Sequence, residues 1–273
     1  MAAPSPMSEN AAAAFRCARL PRNALLAAAL LACAASLYAQ GRGGGRGGGR
    51  GAAINPRTAA AFDPAGYWVS VVTEDWMFRM VTPPKGAYLG VPMNAEARKV
   101  ADSWDPAKDE AEGDQCKAYG APALMRVPGR LHIAWDNDTT LRIDTDAGTQ
   151  TRLFHFGGAA PKGVEPSWQG YSIAEWEYAA PSAGRGAPRM GDLKVITTGL
   201  KPGYLRKNGV PYSASALLTE YYDLHAAPNG DTWLVVTAEV NDPMYLTSPF
   251  ITSTHFKKQP DASGWMPEPC ASR

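Results

Sequence analysis

Four histidines, a handful of carboxylates and a few arginines are the residues with which this chain could do chemistry. His132, His155, His225 and His255 never stand at i,i+2 or i,i+4 to one another. The spacing that gathers a metal on one strand or helix is therefore absent, and no metal site is expected. Asp144-Thr-Asp146-Ala-Gly148 has the opening of a calcium loop, but His155 stands at the twelfth position, where a bidentate Glu is needed. A polar turn is the better reading. No G-x-S-x-G, phosphate loop, dinucleotide fingerprint or zincin helix occurs. No cofactor is expected, and a nucleophile-based hydrolase has no local support.

Arg152 and His155 invite a catalytic reading until strand parity is applied. In an extended segment Arg152 lies with Phe154 and Phe156, and His155 lies with Thr151 and Leu153. The two point to opposite faces and do not share a site. Glu220 shares a face with Leu218 and Tyr222, and an inward carboxylate is costly unless paired. Either Glu220 lies at the surface or it is buried against Arg152. Trp76, Tyr171 and Tyr212 complete the candidate set, because aromatic rings line pockets that stack a ring or an acyl chain.

These side chains need elements to carry them, and the chain reads as mostly strands. In 131–136 the apolar Leu131, Ile133 and Trp135 alternate with His132, Ala134 and Asp136, and a turn follows at 136–139. Further strands are expected from 141, over 150–156, 193–198, 216–222, 233–240 and 250–256, all rich in β-branched or aromatic residues. Asn208-Gly209 and Asn229-Gly230 can supply the two positive φ values of a tight hairpin, so 216–224 should pair with 232–240. One helix is expected after an Asn94 cap, with Ala97, Val100, Ala101 and Trp104 on one stripe and an Arg98–Asp102 pair on its surface. A second, short one starts at Asp105-Pro106. The stretch 179–191 reads as a loop. The expected fold is all-β: an antiparallel, closed or nearly closed barrel with one or two short N-terminal helices, since closure removes exposed edges.

The domain plan is leader, spacer, barrel. Residues 1–39 read as a signal peptide: Arg16, Arg19 and Arg22 precede an apolar run of twelve at 24–35. That run is too short to span a bilayer, which takes about 20 residues. Cleavage is placed between Ala39 and Gln40, and Cys33 offers lipoprotein processing as the alternative. Residues 40–61, containing GRGGGRGGGRG, read as a disordered cationic linker able to touch envelope polymers. Residues 62–273 form the barrel. The whole chain carries 27 Lys+Arg against 26 Asp+Glu, and from Thr58 onward the balance is −5, so nucleic acid is not an expected partner. No membrane-spanning segment is expected after processing. Cys116 and Cys270 survive cleavage and, in an oxidising compartment, read as one disulfide; the alternative is two buried thiols.

The order of motifs carries a resemblance. Cys116-x5-Pro122-x2-Met125-x2-Pro128 is followed by PSWQGYSIAEWE at 166–177, LKVITTGL at 193–200, NGVPYS at 208–213, Thr219-Glu220, WLVVT, DPMYL at 242–246, Pro249-Phe250 and Cys270. Residues 116–270 thereby resemble a large family of exported bacterial β-rich proteins with no assigned function, whose pattern is PTWxGxSIGxWE, DPxxYxxPW and a terminal cysteine. This chain departs from it by a longer loop after Trp176-Glu177. The resemblance implies fold and export, not mechanism. Gly66-Tyr67-Trp68 is similar, more distantly, to the Gly-x-Trp opening of lipocalin-type barrels, whose indole packs beneath a basic residue of the last strand; Lys257 or Lys258 would fill that part.

The resulting expectation is an exported, periplasmic or secreted, lipocalin-like barrel binding a small, partly apolar ligand through Trp76, Arg152, Tyr171, Tyr212 and Glu220. The alternatives are a non-catalytic envelope interaction module tethered by its Gly/Arg linker, and a barrel enzyme using Arg152, Glu220, Tyr171 or Tyr212 as acid–base groups. Whether the interior is hollow separates them.

Overall fold

The structure, a computed structural model, describes residues 55–179 and 190–273. The signal peptide, the cleavage position Ala39–Gln40, Cys33 and most of the Gly/Arg spacer lie outside the described residues, as does most of the loop expected at 179–191. Among the described residues no helix is long and apolar enough to cross a membrane.

Nine strands close into a barrel: β1 (Gly66–Val71), β2 (Arg130–Asn137), β3 (Thr140–Thr145), β4 (Gln150–Phe156), β5 (Tyr171–Tyr178), β6 (Gly191–Thr198), β7 (Leu217–Ala226), β8 (Thr232–Asn241) and β9 (Phe250–Gln259). Each strand pairs with its neighbours in sequence, and β9 returns to pair with β1. The expectation of an antiparallel barrel fails at one junction: β4 and β5 run parallel, with Phe154 opposite Ser172, His155 opposite Ile173 and Phe156 opposite Ala174. The reason is parity. Every antiparallel junction reverses the chain direction, and a ring closes only after an even number of reversals. Nine junctions therefore need a parallel one. Residues 157–170 make the required crossover from the end of β4 back to the start of β5.

Alternation fills the barrel. Leu234, Val236, Ala238 and Val240 face inward from β8, and Leu131 and Ile133 do so from β2. Trp68 packs with Leu141, Ile143, Phe154, Leu193, Val195, Tyr222 and Phe256 into a single interior cluster. The Trp68 indole N–H donates to the Pro64 carbonyl at 3.0 Å, and Lys258, its partner across β1–β9, lies over the ring at 5.3 Å.

Among the described residues, the helices all sit between β1 and β2: α1 (Trp76–Arg79), α2 (Ala95–Asp102), α3 (Pro106–Ala111) and α4 (Ala121–Leu124), with a 3-10 turn at Lys117–Tyr119. Asn94 caps α2 by accepting from the Ala97 N–H at 2.9 Å, and Asp105 caps α3, as their positions imply. α1 and α4 are single turns that periodicity could not signal. On α2 the ion pair is Glu96–Lys99 at 2.6 Å, while Asp102 takes the Tyr88 hydroxyl at 2.9 Å instead of Arg98. A second core joins Ala97 and Ala101 of α2 to Leu218, Val240 and Phe250 at one end of the barrel and to the hairpin Gly203–Arg206/Val210–Tyr212. Neither Asn-Gly pair makes the expected turn with two positive φ values. Only Gly209 (φ 82°) and Gly230 (φ 87°) are left-handed, and β7–β8 is joined by a longer loop closed by Ala227 N–H to Asp231 O at 2.8 Å.

Cys116 and Cys270 are disulfide-bonded across a sequence separation of 154. The bridge holds Glu268–Pro269 beside Ala147–Gly148 in a short parallel pair. At the other terminus residues 55–61, read as the end of the linker, lie against the barrel. The Trp176 indole donates to Pro56 O at 3.0 Å, the Tyr178 hydroxyl to Ala59 O at 2.5 Å, and Phe62 meets Trp176 edge-on.

One feature of the outer wall predicts a pH response. Asp223 on β7 shares a hydrogen bond with Asp192 on β6, and its carboxyl is pushed up to about 6 by burial and then by this like-charged neighbour. A raised carboxyl favours the fold below the unfolded value near 4 and loses that advantage as pH climbs through 6. Asp223→Asn should add about 1 kcal/mol of stability at pH 8, after discounting for partial exposure, and nothing at pH 4. Urea unfolding at the two pH values checks this; an equal gain at both would refute it.

Candidate functional site

The five residues singled out by sequence do not converge. Arg152 and Glu220 meet inside the barrel; the other three are elsewhere. Arg152 donates to both Glu220 oxygens, at 2.8 and 2.6 Å, and to Thr197 Oγ1 at 3.2 Å. The Tyr222 hydroxyl donates to Glu220 Oε1 at 3.1 Å, and Ser172 and Thr197 share a bond of 2.8 Å. Burial works against the Arg152 charge, but the Glu220 carboxylate outweighs it and holds the guanidinium above its ordinary pKa; burial and the same carboxylate push the Tyr222 phenol up. This is a neutralised, enclosed network: Arg152 is 1% and Glu220 0% exposed.

Tyr171 faces outward and stacks on His155 at 4.6 Å. Tyr212 is buried in the second core, and Gly120 and Gly203 leave room for its hydroxyl. Trp76, on α1, is 63% exposed. Parity correctly separated Arg152 from His155. The Asp144 and Asp146 carboxylates of the calcium-like stretch are occupied by Arg142 and Thr151, and by the backbone N–H groups of Arg130 and Ala147.

A different constellation lies outside the barrel. Between α1, α4 and the 203–212 hairpin runs a cleft of about 320 Å³. Met80, Val81, Val127, Pro128 and Leu205 give it apolar walls; Arg79, Arg126, Arg206, Lys207 and Arg273 give it cationic ones, against a single lining acid, Glu268. Arg79, Arg126 and Arg206 are only 7%, 6% and 4% exposed. Arg79 Nε donates to Arg126 O at 2.9 Å and its Nη1 to Glu74; Arg206 Nη1 donates to Leu89 O at 2.8 Å. Arg126 Nη2 donates to Asp75 Oδ2 at 3.0 Å. The Arg206 guanidinium stacks on Phe78 at 4.3 Å, and Phe250 lies under both Arg126 and Arg206. Arg79 Nη2, Arg126 Nη1 and Arg206 Nε are buried without any partner. Burial, reinforced by Arg126, pushes Arg206 down to about 10, and burial also lowers Arg79.

Packing three buried guanidiniums together is costly unless something offsets the charge. Glu74 and Asp75 do so only in part. The arrangement can therefore receive an anion, with apolar wall beside it.

The chain matches no protein-family model, no curated protein and no solved structure. What the protein does must be argued from its own geometry.

The cleft was not legible in sequence. Its three buried arginines come from separate segments, at 79, 126 and 206, with irregular surroundings and no shared spacing. The one available cue is that Arg126 and Arg206 sit within or beside the motif stretches C-x5-P-x2-M-x2-P and NGVPYS.

Proposed function

We propose that this is an exported β-barrel protein of the bacterial β-rich family its motifs resemble, and that it binds a small, partly apolar ligand in the external cleft. The barrel supplies the scaffold, and the ligand lies against its outside. The observation that carries this reading is the contrast between the two spaces. The interior is occupied by Trp68, Phe154, Tyr222 and the Arg152–Glu220 pair, whereas the cleft between α1 and the hairpin places Met80 and Val81, 58% and 64% exposed, beside buried arginines. Exposed apolar side chains next to partly satisfied polar ones are the chemistry of a small-molecule site. The Cys116–Cys270 bridge supports an oxidising location. Trp68 beneath Lys258 supports the lipocalin-like comparison at the barrel base, although the ligand position differs.

The test uses N-phenyl-1-naphthylamine, a neutral dye whose fluorescence rises in apolar surroundings. It should bind the native protein, and the double variant Met80→Gln/Val81→Gln should bind it about tenfold more weakly, the loss of about 1.4 kcal/mol of apolar contact. No enhancement, or equal binding by the variant, defeats the reading.

A second reading, an envelope interaction module, is favoured by Trp76, Met77 and Leu89, which stand 63%, 55% and 79% exposed. Trp76→Ala/Met77→Ala should then abolish retention on envelope fractions while leaving dye binding intact.

A further inference from the structure

Resting on the cleft reading, we propose that the Arg126–Arg206 pair is a carboxylate-binding site held closed by the protein's own Asp75, which the carboxylate of a small apolar acid replaces. Asp75 is an internal copy of such a ligand. Its Oδ2 lies 3.0 Å from Arg126 Nη2 and 3.9 Å from Arg206 Nη2, a carboxylate set between two guanidiniums. The backbone that places it there is left-handed, at φ 49° and ψ 28°, a conformation that Asp adopts more readily than most residues with a Cβ. Its side chain is 42% exposed, so it can swing outward without unfolding anything.

The donors exceed what Asp75 can satisfy. Arg79 Nη2, Arg126 Nη1 and Arg206 Nε are unpartnered, and each belongs to a side chain more than nine-tenths buried at the cleft. A free carboxylate is not constrained by a backbone, and it can offer both oxygens to a guanidinium fork. Phe78 stacks on the Arg206 guanidinium at 4.3 Å. Glu74, bonded to Arg79 and 3.1 Å from His255 Nδ1, keeps α1 attached when Asp75 leaves. The apolar portion of the ligand then runs along Met80 and Val81.

Calorimetric titration of the full chain with octanoate and with octanol decides the matter. Asp75→Asn removes the competing charge but keeps the backbone, because Asn accepts left-handed φ as readily as Asp. Octanoate should bind Asp75→Asn about tenfold more tightly than the native protein, with octanol affinity unchanged. Arg206→Gln should lower octanoate affinity at least tenfold and leave octanol unaffected. If octanol binds but octanoate gains nothing from Asp75→Asn, this proposal falls while the cleft reading stands. If neither compound binds any variant, both fall. Because Asp75→Asn is scored by a gain, a misfolded protein cannot imitate the expected result.

Discussion

Glu220→Gln is expected to destabilise the protein by about 3–5 kcal/mol, the characteristic cost of leaving one member of a buried ion pair alone. The substitution keeps the shape of the side chain and deletes only its charge. Arg152, 1% exposed and bonded to both Glu220 oxygens, would then hold a positive charge in an apolar barrel where the polar groups nearest the pair are the hydroxyls of Thr197, Tyr222 and Ser172. Arg152→Met should cost a similar amount by stranding the carboxylate. The joint replacement Arg152→Met/Glu220→Leu is the informative control. Both desolvation penalties disappear, so most of the loss should return. Guanidinium unfolding of the four proteins gives these figures. Single variants within about 1 kcal/mol of native would mean that water reaches the pair and the interior is not sealed.

Removing the bridge should have the next largest effect. Cys116→Ser/Cys270→Ser frees a loop spanning a separation of 154 residues. Chain-entropy reasoning assigns such a loop about 5 kcal/mol, and measured losses for native bridges run at about 2–5 kcal/mol, so a loss of about 4 kcal/mol is expected. A local effect accompanies the global one. The terminal segment brings Trp265 edge-on to Tyr67 and His132, at 6.0 and 6.3 Å, and sets Glu268 N–H on Asp146 O at 2.9 Å. Untethered, these contacts should fray first, so near-ultraviolet circular dichroism should change before the barrel signal does. Identical unfolding midpoints with and without dithiothreitol would refute the assignment.

Much of the barrel could be read from alternation, because one face of each strand must be apolar. That rule set Arg152 on the face of Phe154 and Glu220 on the face of Tyr222, and left a buried Arg152–Glu220 pair as one of two options. Caps at Asn94 and Asp105 located two helices, because those side chains satisfy backbone N–H groups that a helix start leaves open. Other features had no local code. The parallel junction between β4 and β5 follows from the number of strands, a property of the closed ring that no window of sequence contains. The Asn-Gly turns failed because Asn208 and Asn229 remain in ordinary φ and leave the left-handed conformation to glycine alone. Trp76 was weighed as a pocket or core residue by its type, yet it sits on a one-turn helix that exposes it. The arginine cleft is tertiary throughout: Arg79, Arg126 and Arg206 become neighbours only after the excursion between β1 and β2 folds back on the hairpin.

The repeated strand direction also leaves the wall with a seam. Only three residue pairs hold β4 to β5 in register, where β7 and β8 share ten. Arg152 reaches inward across that seam, from β4 to Thr197 on β6 and Glu220 on β7. The ion pair thus acts as a rivet at the thinnest part of the cylinder. Amide protons bonded across the β4–β5 seam should exchange with deuterium ahead of those of the β7–β8 ladder, and cutting the rivet should quicken them further while β7 and β8 stay protected.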